Sequence, residues 1–286
     1  MHNNVKAKIK GHNTEIYENI GIKQGDAISP RLFNIYINEL PTAIHDSEDQ
    51  NNIIVLWNRL IKCLLYADDL ALFSTTAEGI NKQLQKLHEF CKELELTVSI
   101  EKTETMYIHQ NNKEDIDTKL PSIKYQDKTL NYVKHFKYVG ITLTHDGTFD
   151  AHINKAIDKA ITATRILKSK IYRLGINSPL QMKITLFKAY VQPILMYGME
   201  LINPTKDQYK KLNKVTEDYT RWILGSSPKS QTLATLTLGD FKLIEFDIHK
   251  QQVNYLYTLL HRHKENITSI ALRQIIENHE HPMNKN

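Results

Sequence analysis

Cysteine is nearly missing from this chain: only Cys63 and Cys91 occur in 286 residues, and their spacing shows no pairing. That excludes a disulfide framework and a cysteine-based metal site, suits a reducing compartment, and leaves both thiols as candidate buried apolar fillers. Long apolar runs are missing too. No stretch of about 18 uninterrupted apolar residues occurs, so no membrane span is expected. Met1–Lys10 lacks the apolar core of a secretory signal, and the expectation is a soluble intracellular protein of nucleus or cytoplasm. There is no fixed-period repeat and no low-complexity tract. Acid is scarce in one place: residues 151–221 hold five Asp or Glu against thirteen Lys or Arg, a net +8, so the rest carries −3 of the overall +5.

What is present is ordinary globular composition, 41% apolar and 24% charged, long enough for one or two domains around a sizeable core. The chain is organised around Leu64–Leu72, LLYADDLAL. Two apolar runs of strand-like composition flank adjacent carboxylates, which predicts a tight β-hairpin with Asp68 and Asp69 at its tip. Neighbouring carboxylates repel, a cation relieves the repulsion, and hard oxygen ligands suit Mg²⁺. A plain solvated turn is the alternative, because Asp is a common turn residue.

Upstream, Val5, Ala7 and Ile9 alternate with lysines, and the run from Thr14 to Tyr17 completes a hairpin with a basic outer face, either a solvated edge or a nucleic-acid contact. The segment GIKQGDAISPRLFNIYINEL begins at Gly21. Ser29 and Pro30 start a helix whose apolar face is Leu32, Phe33, Tyr36, Ile37 and Leu40, and Pro41 ends it. The loop before it, with Lys23, Gln24 and Gly25, either brings backbone N–H groups to a phosphate or base or is a connecting turn. Downstream, Thr75 and Glu78 form a capping box for an amphipathic helix over Ile80, Leu84, Leu87, Cys91 and Leu94. Leu96, Val98 and Ile100 alternate as a strand, with Lys102 just beyond. Residues 110–119 read as a surface loop. Phe136, Tyr138, Ile141 and Leu143 form β structure broken at Gly140 and closed at Asp146–Gly147. The mixed part ends near Asp150.

Beyond it the pattern is helical. Ile153, Ile157, Ala160, Thr164, Leu167, Ile171 and Leu174 form one stripe ended by Gly175, while Lys155, Lys159, Arg165 and Lys168 lie on other faces. Ser178–Pro179 starts a second helix, and Thr205 with Gln208 caps a third that ends at Gly225. The basic excess fits either a phosphate-binding surface or a solvated helix face. A last helix from about Asp240 to His263 precedes a polar tail, where His261, His263, His279 and His281 suggest either a metal or a disordered end.

Taken together, the segments resemble the reverse transcriptases of non-LTR (LINE-type) retrotransposons. Tyr66-Ala67-Asp68-Asp69 matches that family's catalytic box, and the segment from Gly21 matches the loop and helix before it. LTVSIEKTETM, from Leu96, is similar to the next block, with Ser99 where the family usually has Asn. Phe136, Lys137, Tyr138, Val139 and Gly140 resemble the primer-grip block, and VQPILMYG and RWILG resemble segments that follow the polymerase core. The resemblance implies an α+β fold: a partial right-hand polymerase palm, an antiparallel sheet with covering helices, over 1–150. An all-helical part follows, as a basic thumb over 151–225 and an extension with polar tail over 226–286.

It also implies roles. Asp68 and Asp69 would be ligands of two Mg²⁺ ions. Lys102 would lie near the departing pyrophosphate as a general acid. Lys23, Gln24 and Gly25 would border nucleotide and template, and Phe136–Gly140 would hold the primer. Lys155, Lys159, Arg165 and Lys168 would meet the nucleic-acid backbone. The implied partners are an RNA template, a DNA primer, their hybrid and deoxynucleoside triphosphates, with no membrane and no oligomeric state specified. The family's first catalytic carboxylate lies upstream of the glycine loop and has no counterpart here. The fingers, an endonuclease domain and a Cys/His knuckle also lack counterparts, so the expectation is a polymerase part inactive alone. A non-catalytic nucleic-acid-binding module is the alternative.

Overall fold

The computed structural model describes residues 5–8, 15–18, 27–45, 54–56, 59–109, 120–173, 178–263 and 266–280. The loop with Lys23, Gln24 and Gly25 lies outside them, as do Leu174, Gly175 and the whole of the surface loop expected at 110–119. Contacts divide the chain into two compact units, Met1–Thr105 with Glu114–Tyr132, and Met106–Lys113 with Val133–Asn286. The division falls at 132/133, ahead of the change in composition near 150, because the Phe136 hairpin packs with the helices that follow it.

The first unit opens with β1 (Val5–Lys8) paired antiparallel to β2 (Glu15–Glu18). The single helix expected after Ser29 is two helices, α1 (Ser29–Tyr36) and α2 (Leu40–His45). Pro41 sits in the first turn of α2, where its missing N–H is no loss, and so begins a helix where it was expected to end one. Four short strands follow, β3 (Ile54–Leu56), β4 (Arg59–Ile61), β5 (Cys63–Tyr66) and β6 (Asp69–Leu72). They lead into α3 (Ala77–Glu93), whose N-cap is Thr76: the Gly79 N–H donates to its Oγ1 at 3.1 Å. The cap is therefore one residue later than expected, and Gly79 has no side chain to complete a capping box.

Leu84, Leu87, Phe90 and Cys91 of α3 form a core with Leu40 and Ile44 of α2 and with Ile123, Tyr125 and Leu130. Both cysteines are free, Cys91 inside this core and Cys63 against it, and burial pushes both thiols up. Leu96, Val98 and Ile100 keep the alternating burial of a strand but among the described residues pair with no other strand, and the chain enters a 3-10 turn at Ile100–Lys102. The unit closes with β7 (Glu104–Thr105), β8 (Lys124–Tyr125), β9 (Lys128–Thr129) and β10 (Asn131–Tyr132); β8 pairs with β9, and β10 runs parallel to β7.

The second unit begins with the antiparallel pair β11 (His135–Tyr138) and β12 (Ile141–Thr144). Asp146–Gly147 does not close this hairpin. Its turn is Val139–Gly140, and Asp146 instead accepts hydrogen bonds from Thr144 Oγ1 at 2.5 Å and from Thr148 N at 2.9 Å on the way into the next helix. These donors hold the Asp146 carboxyl at about 2. Helices α4 (Asp150–Arg173), α5 (Leu180–Tyr190), α6 (Gln192–Met196) and α7 (Lys206–Leu224) follow, then α8 (Thr232–Leu238), α9 (Ile244–His261) and α10 (Ile267–Glu280). The expected stripe of α4, from Ile153 to Ile171, is buried. At α7 both bonds of the Thr205–Gln208 capping box form, and Gly225 ends the helix in the left-handed region.

This core centres on Phe187 of α5, Tyr219 of α7 and Phe241, with ring centroids 4.5 Å apart for Phe187–Tyr219 and 5.3 Å for Phe187–Phe241. The Tyr219 hydroxyl donates to the Lys183 carbonyl at 2.7 Å, and burial pushes its pKa to about 12. The segment expected as a polar, disordered end is helical over Ile267–Glu280, since Ser269 and Ile270 are buried there. Among the described residues the fold is α+β as expected, but its strands form six two-stranded pairs, five antiparallel and one parallel, in place of one sheet.

Candidate active site and nucleic-acid interface

The hairpin of β5 and β6 has the register Cys63↔Leu72, Leu65↔Leu70 and Tyr66↔Asp69. Alternation along each strand sends Cys63, Leu65, Leu70 and Leu72 onto the core of the first unit and leaves Leu64, Tyr66 and Asp69 facing out. The loop is therefore two residues, Ala67 and Asp68, with Asp69 the first residue of the returning strand. Ala67 has φ +52°, a left-handed conformation that costs a residue with a Cβ about 1–2 kcal/mol. Asp68 follows it in the turn and Asp69 opens the returning strand, both exposed. Among the described residues neither carboxylate has an ion-pair or hydrogen-bond partner, so both oxygen pairs are free to take a ligand.

Lys102, at the end of its 3-10 turn, is exposed, and no hydrogen bond or ion pair joins it to either acid. As hard oxygen donors Asp68 and Asp69 suit Mg²⁺, but a two-ion site needs more carboxylate than one hairpin tip offers. Among the described residues no group of three or more His, Cys, Asp or Glu side chains is placed to hold a metal. The pair fits part of such a site and not the whole of it.

The second hairpin carries Phe136–Gly140. Val139 and Gly140 form its two-residue turn, with φ +45° and +84°, the pattern of a type I′ turn. A β-branched residue at positive φ is an outlier, and it persists because the turn is held from outside. The Tyr197 hydroxyl donates to the Val139 carbonyl at 2.7 Å. Gly140 lies so close that a Cβ there would come within 2.8 Å of the Tyr197 hydroxyl oxygen. His152 of α4, buried at 5% exposure, completes the clamp: its Nδ1 accepts from Thr142 N at 3.3 Å, so its Nε2–H donates to the Tyr197 carbonyl at 2.9 Å. Tyr197 and His152 were not singled out from the sequence as positioning residues. The only signal was that VQPILMYG places Tyr197 before a glycine, Gly198, whose φ is +78°.

The four cations expected to meet a nucleic-acid backbone share α4 but not a face. Lys155 Nζ donates to Thr142 Oγ1 of β12 at 3.5 Å, and Lys159 one turn on is exposed. Arg165 is exposed on the opposite flank, and Lys168 on that flank donates to the Asp218 carbonyl of α7 at 3.4 Å. Arg221, counted among the basic residues, is turned inward: it pairs with Glu217, its Nη2 donates to the Ser230 carbonyl at 2.8 Å, and Thr232 donates to Glu217 at 2.5 Å.

The pattern of the family described as reverse transcriptase (RNA-dependent DNA polymerase) matches residues 1–143, half of the chain, and the chain belongs to that family. Within it the resemblance to non-LTR retrotransposon polymerases holds. The chain is 25% identical over 214 residues to the retrovirus-related Pol polyprotein from type-1 retrotransposable element R2 of Popillia japonica, covering 73% of this chain and 33% of that protein. It is 21% identical over 202 residues to the RNA-directed DNA polymerase from mobile element jockey of Drosophila melanogaster, covering 68% and 20%. With the type-1 R2 polyprotein of Nasonia vitripennis identity is 29% over 143 residues, covering 48% and 14%. The chain thus spans a third or less of the length of these relatives. No helix among the described residues is long and apolar enough to cross a membrane.

Proposed function

We propose that the chain is the part of a non-LTR RNA-directed DNA polymerase that carries the metal-binding hairpin, a primer-holding hairpin and a nucleic-acid-binding helical thumb. One observation carries the reading: two exposed, unpartnered carboxylates stand side by side on a strained turn, inside the segment that matches the reverse transcriptase family. Residues 1–150 act as palm, 151–225 as thumb and 226–286 as extension. Mg²⁺, when bound, activates the primer hydroxyl and stabilises the leaving pyrophosphate. Asp68 serves as ligand with Asp69 assisting, and Lys102 supplies a proton to the leaving group. Lys23, Gln24 and Gly25 border nucleotide and template, the clamped Phe136–Gly140 hairpin fixes the primer end, and Lys155, Lys159, Arg165 and Lys168 meet phosphates.

Because two adjacent carboxylates on one hairpin supply only part of a two-ion site, the 286 residues alone bind template–primer but do not extend it. Primer extension on poly-rA with Mg²⁺ tests this. The expected result is no product. Product abolished by Asp68→Ala would overturn the inactivity and keep the metal assignment, and product indifferent to Asp68→Ala would overturn the assignment. A second reading, a nucleic-acid-binding module without catalysis, is favoured by the net +8 of residues 151–221 and by the separate core of the helical unit. It requires salt-sensitive binding that ignores Asp68→Ala and weakens when Lys155, Lys159 and Lys168 are changed to Glu.

A further inference from the structure

We propose that Lys168 and Lys183, held against Trp222, form a binding site for one phosphodiester of a nucleic-acid strand. This rests on the reading that the helical unit binds nucleic acid, and it names the residues that do so. Three helices converge on the site. Lys168 comes from α4, Lys183 from the first turn of α5 and Trp222 from the last turn of α7. The two Nζ atoms lie 5.4 Å and 6.0 Å from the centroid of the indole ring. The ring is fixed from beneath by Tyr219, 5.7 Å away between centroids, and remains 38% exposed.

What distinguishes the pair is that neither ammonium group is spent on an ion pair. Among the described residues no carboxylate lies within ion-pair distance of either ammonium group, and the acceptor recorded for Lys168 is the Asp218 carbonyl. The Asp218 carboxylate is drawn to Lys214 at 2.9 Å, and Arg221 is committed to Glu217. Burial pushes the Lys168 ammonium down from its ordinary value, and only Asp218 opposes that. An anion at the Lys168 head would restore what burial removes there. Both heads are already held by the ring, so little side-chain ordering remains to oppose binding.

A neighbouring feature shows why the phosphate belongs here. A cleft of about 430 Å³ lies between α4 and α7, but its charged rim is balanced, Asp158 and Asp218 against Lys211 and Lys214. Nothing in it favours an anion. Lys155 and Lys159 lie on the far flank of α4, where Lys155 is occupied with Thr142.

Trp222 itself reports binding. With Trp57→Phe as background it is the sole tryptophan, and its emission is followed while the 286-residue chain is titrated with an RNA/DNA hybrid oligonucleotide and, separately, with inorganic phosphate. The expected result is a change in emission with the hybrid at far lower concentration than with phosphate. Lys168→Ala with Lys183→Ala should weaken hybrid binding about tenfold and reduce the slope of log affinity against log salt by about 1, the value for one neutralised phosphate. Trp222→Phe, followed by anisotropy of a labelled hybrid, should retain most of the affinity, and Trp222→Ala should not. Circular dichroism melting confirms that each variant is folded. Unchanged affinity and slope in the double lysine variant would sink the site, while loss in Lys155→Ala with Lys159→Ala would leave the proposed function standing without it. A slope change near 2 would overturn the single-phosphate claim, and a response to free phosphate but not to hybrid would make this a small-anion site. Failure of the parent chain to bind hybrid at all would remove the proposed function as well.

Discussion

Two of the hairpins with two-residue turns, β5–β6 and β11–β12, are built alike and held differently. Each joins two four-residue strands, and each places a residue with a Cβ at positive φ, Ala67 at +52° and Val139 at +45°. At Val139 the strain is locked by groups remote in sequence, the Tyr197 hydroxyl and, behind it, His152. At Ala67 no side chain from outside the hairpin holds the turn among the described residues, and the inner face of the strands alone is anchored. The first arrangement suits a rigid support for something that must not move. The second leaves the carboxylates of Asp68 and Asp69 open on the solvent side.

The strongest way to break this contrast is Gly140→Ala, which adds a Cβ at φ +84° against the Tyr197 ring. It should cost the second unit about 2–3 kcal/mol in urea unfolding. In a cycle with Tyr197→Phe the two losses should not add, because both act on one contact. Next, His152→Ala strands the Thr142 N–H and the Tyr197 carbonyl, for about 2 kcal/mol. Smaller and opposite in sign, Ala67→Gly should stabilise the first unit by about 0.5–1 kcal/mol. A loss of stability there would mean that the Ala67 turn is also held from outside. The smallest effect concerns Asp146, whose folded-state pKa of about 2 lies below its usual 3.8. Its contribution is present above pH 3.8 and lost as pH falls toward 2, so Asp146→Asn should flatten the acid limb of a stability curve while costing about 0.5 kcal/mol near neutrality.

The features legible beforehand are those decided within a few residues. The capping box at Thr205 and the stop at Gly225 are local chemistry, and both form. The stripe of α4 is a periodicity, and it is buried. The twin-acid turn was expected with both acids at the tip; the register instead makes Ala67 a turn residue and gives Asp69 to the strand. Illegible features depend on distant partners. Asp146–Gly147 has the composition of a hairpin turn, yet Val139–Gly140 takes that place because Tyr197, 58 residues away, holds it. Leu96–Ile100 has the alternation of a strand but, among the described residues, no neighbour to pair with. The basic residues of α4 read as one surface until the helix distributes them over two flanks and a tryptophan from α7 gathers Lys168 with Lys183.

The division of the chain into units has a practical consequence for anyone who would take it apart. The boundary is crossed at 105/106, at 113/114 and again at 132/133. A fragment cut to start at Val133 would leave behind His109, whose ring stacks on His145 at 5.3 Å and whose amide donates to the His145 carbonyl at 3.0 Å. A fragment ending at Thr105 would forfeit Ile123, Tyr125 and Leu130 from the first core. No single cut yields two whole pieces: one at 132/133 takes Met106–Lys113 from the second unit, and one at 105/106 takes Glu114–Tyr132 from the first, so truncation in this stretch should destabilise one unit whichever end is chosen.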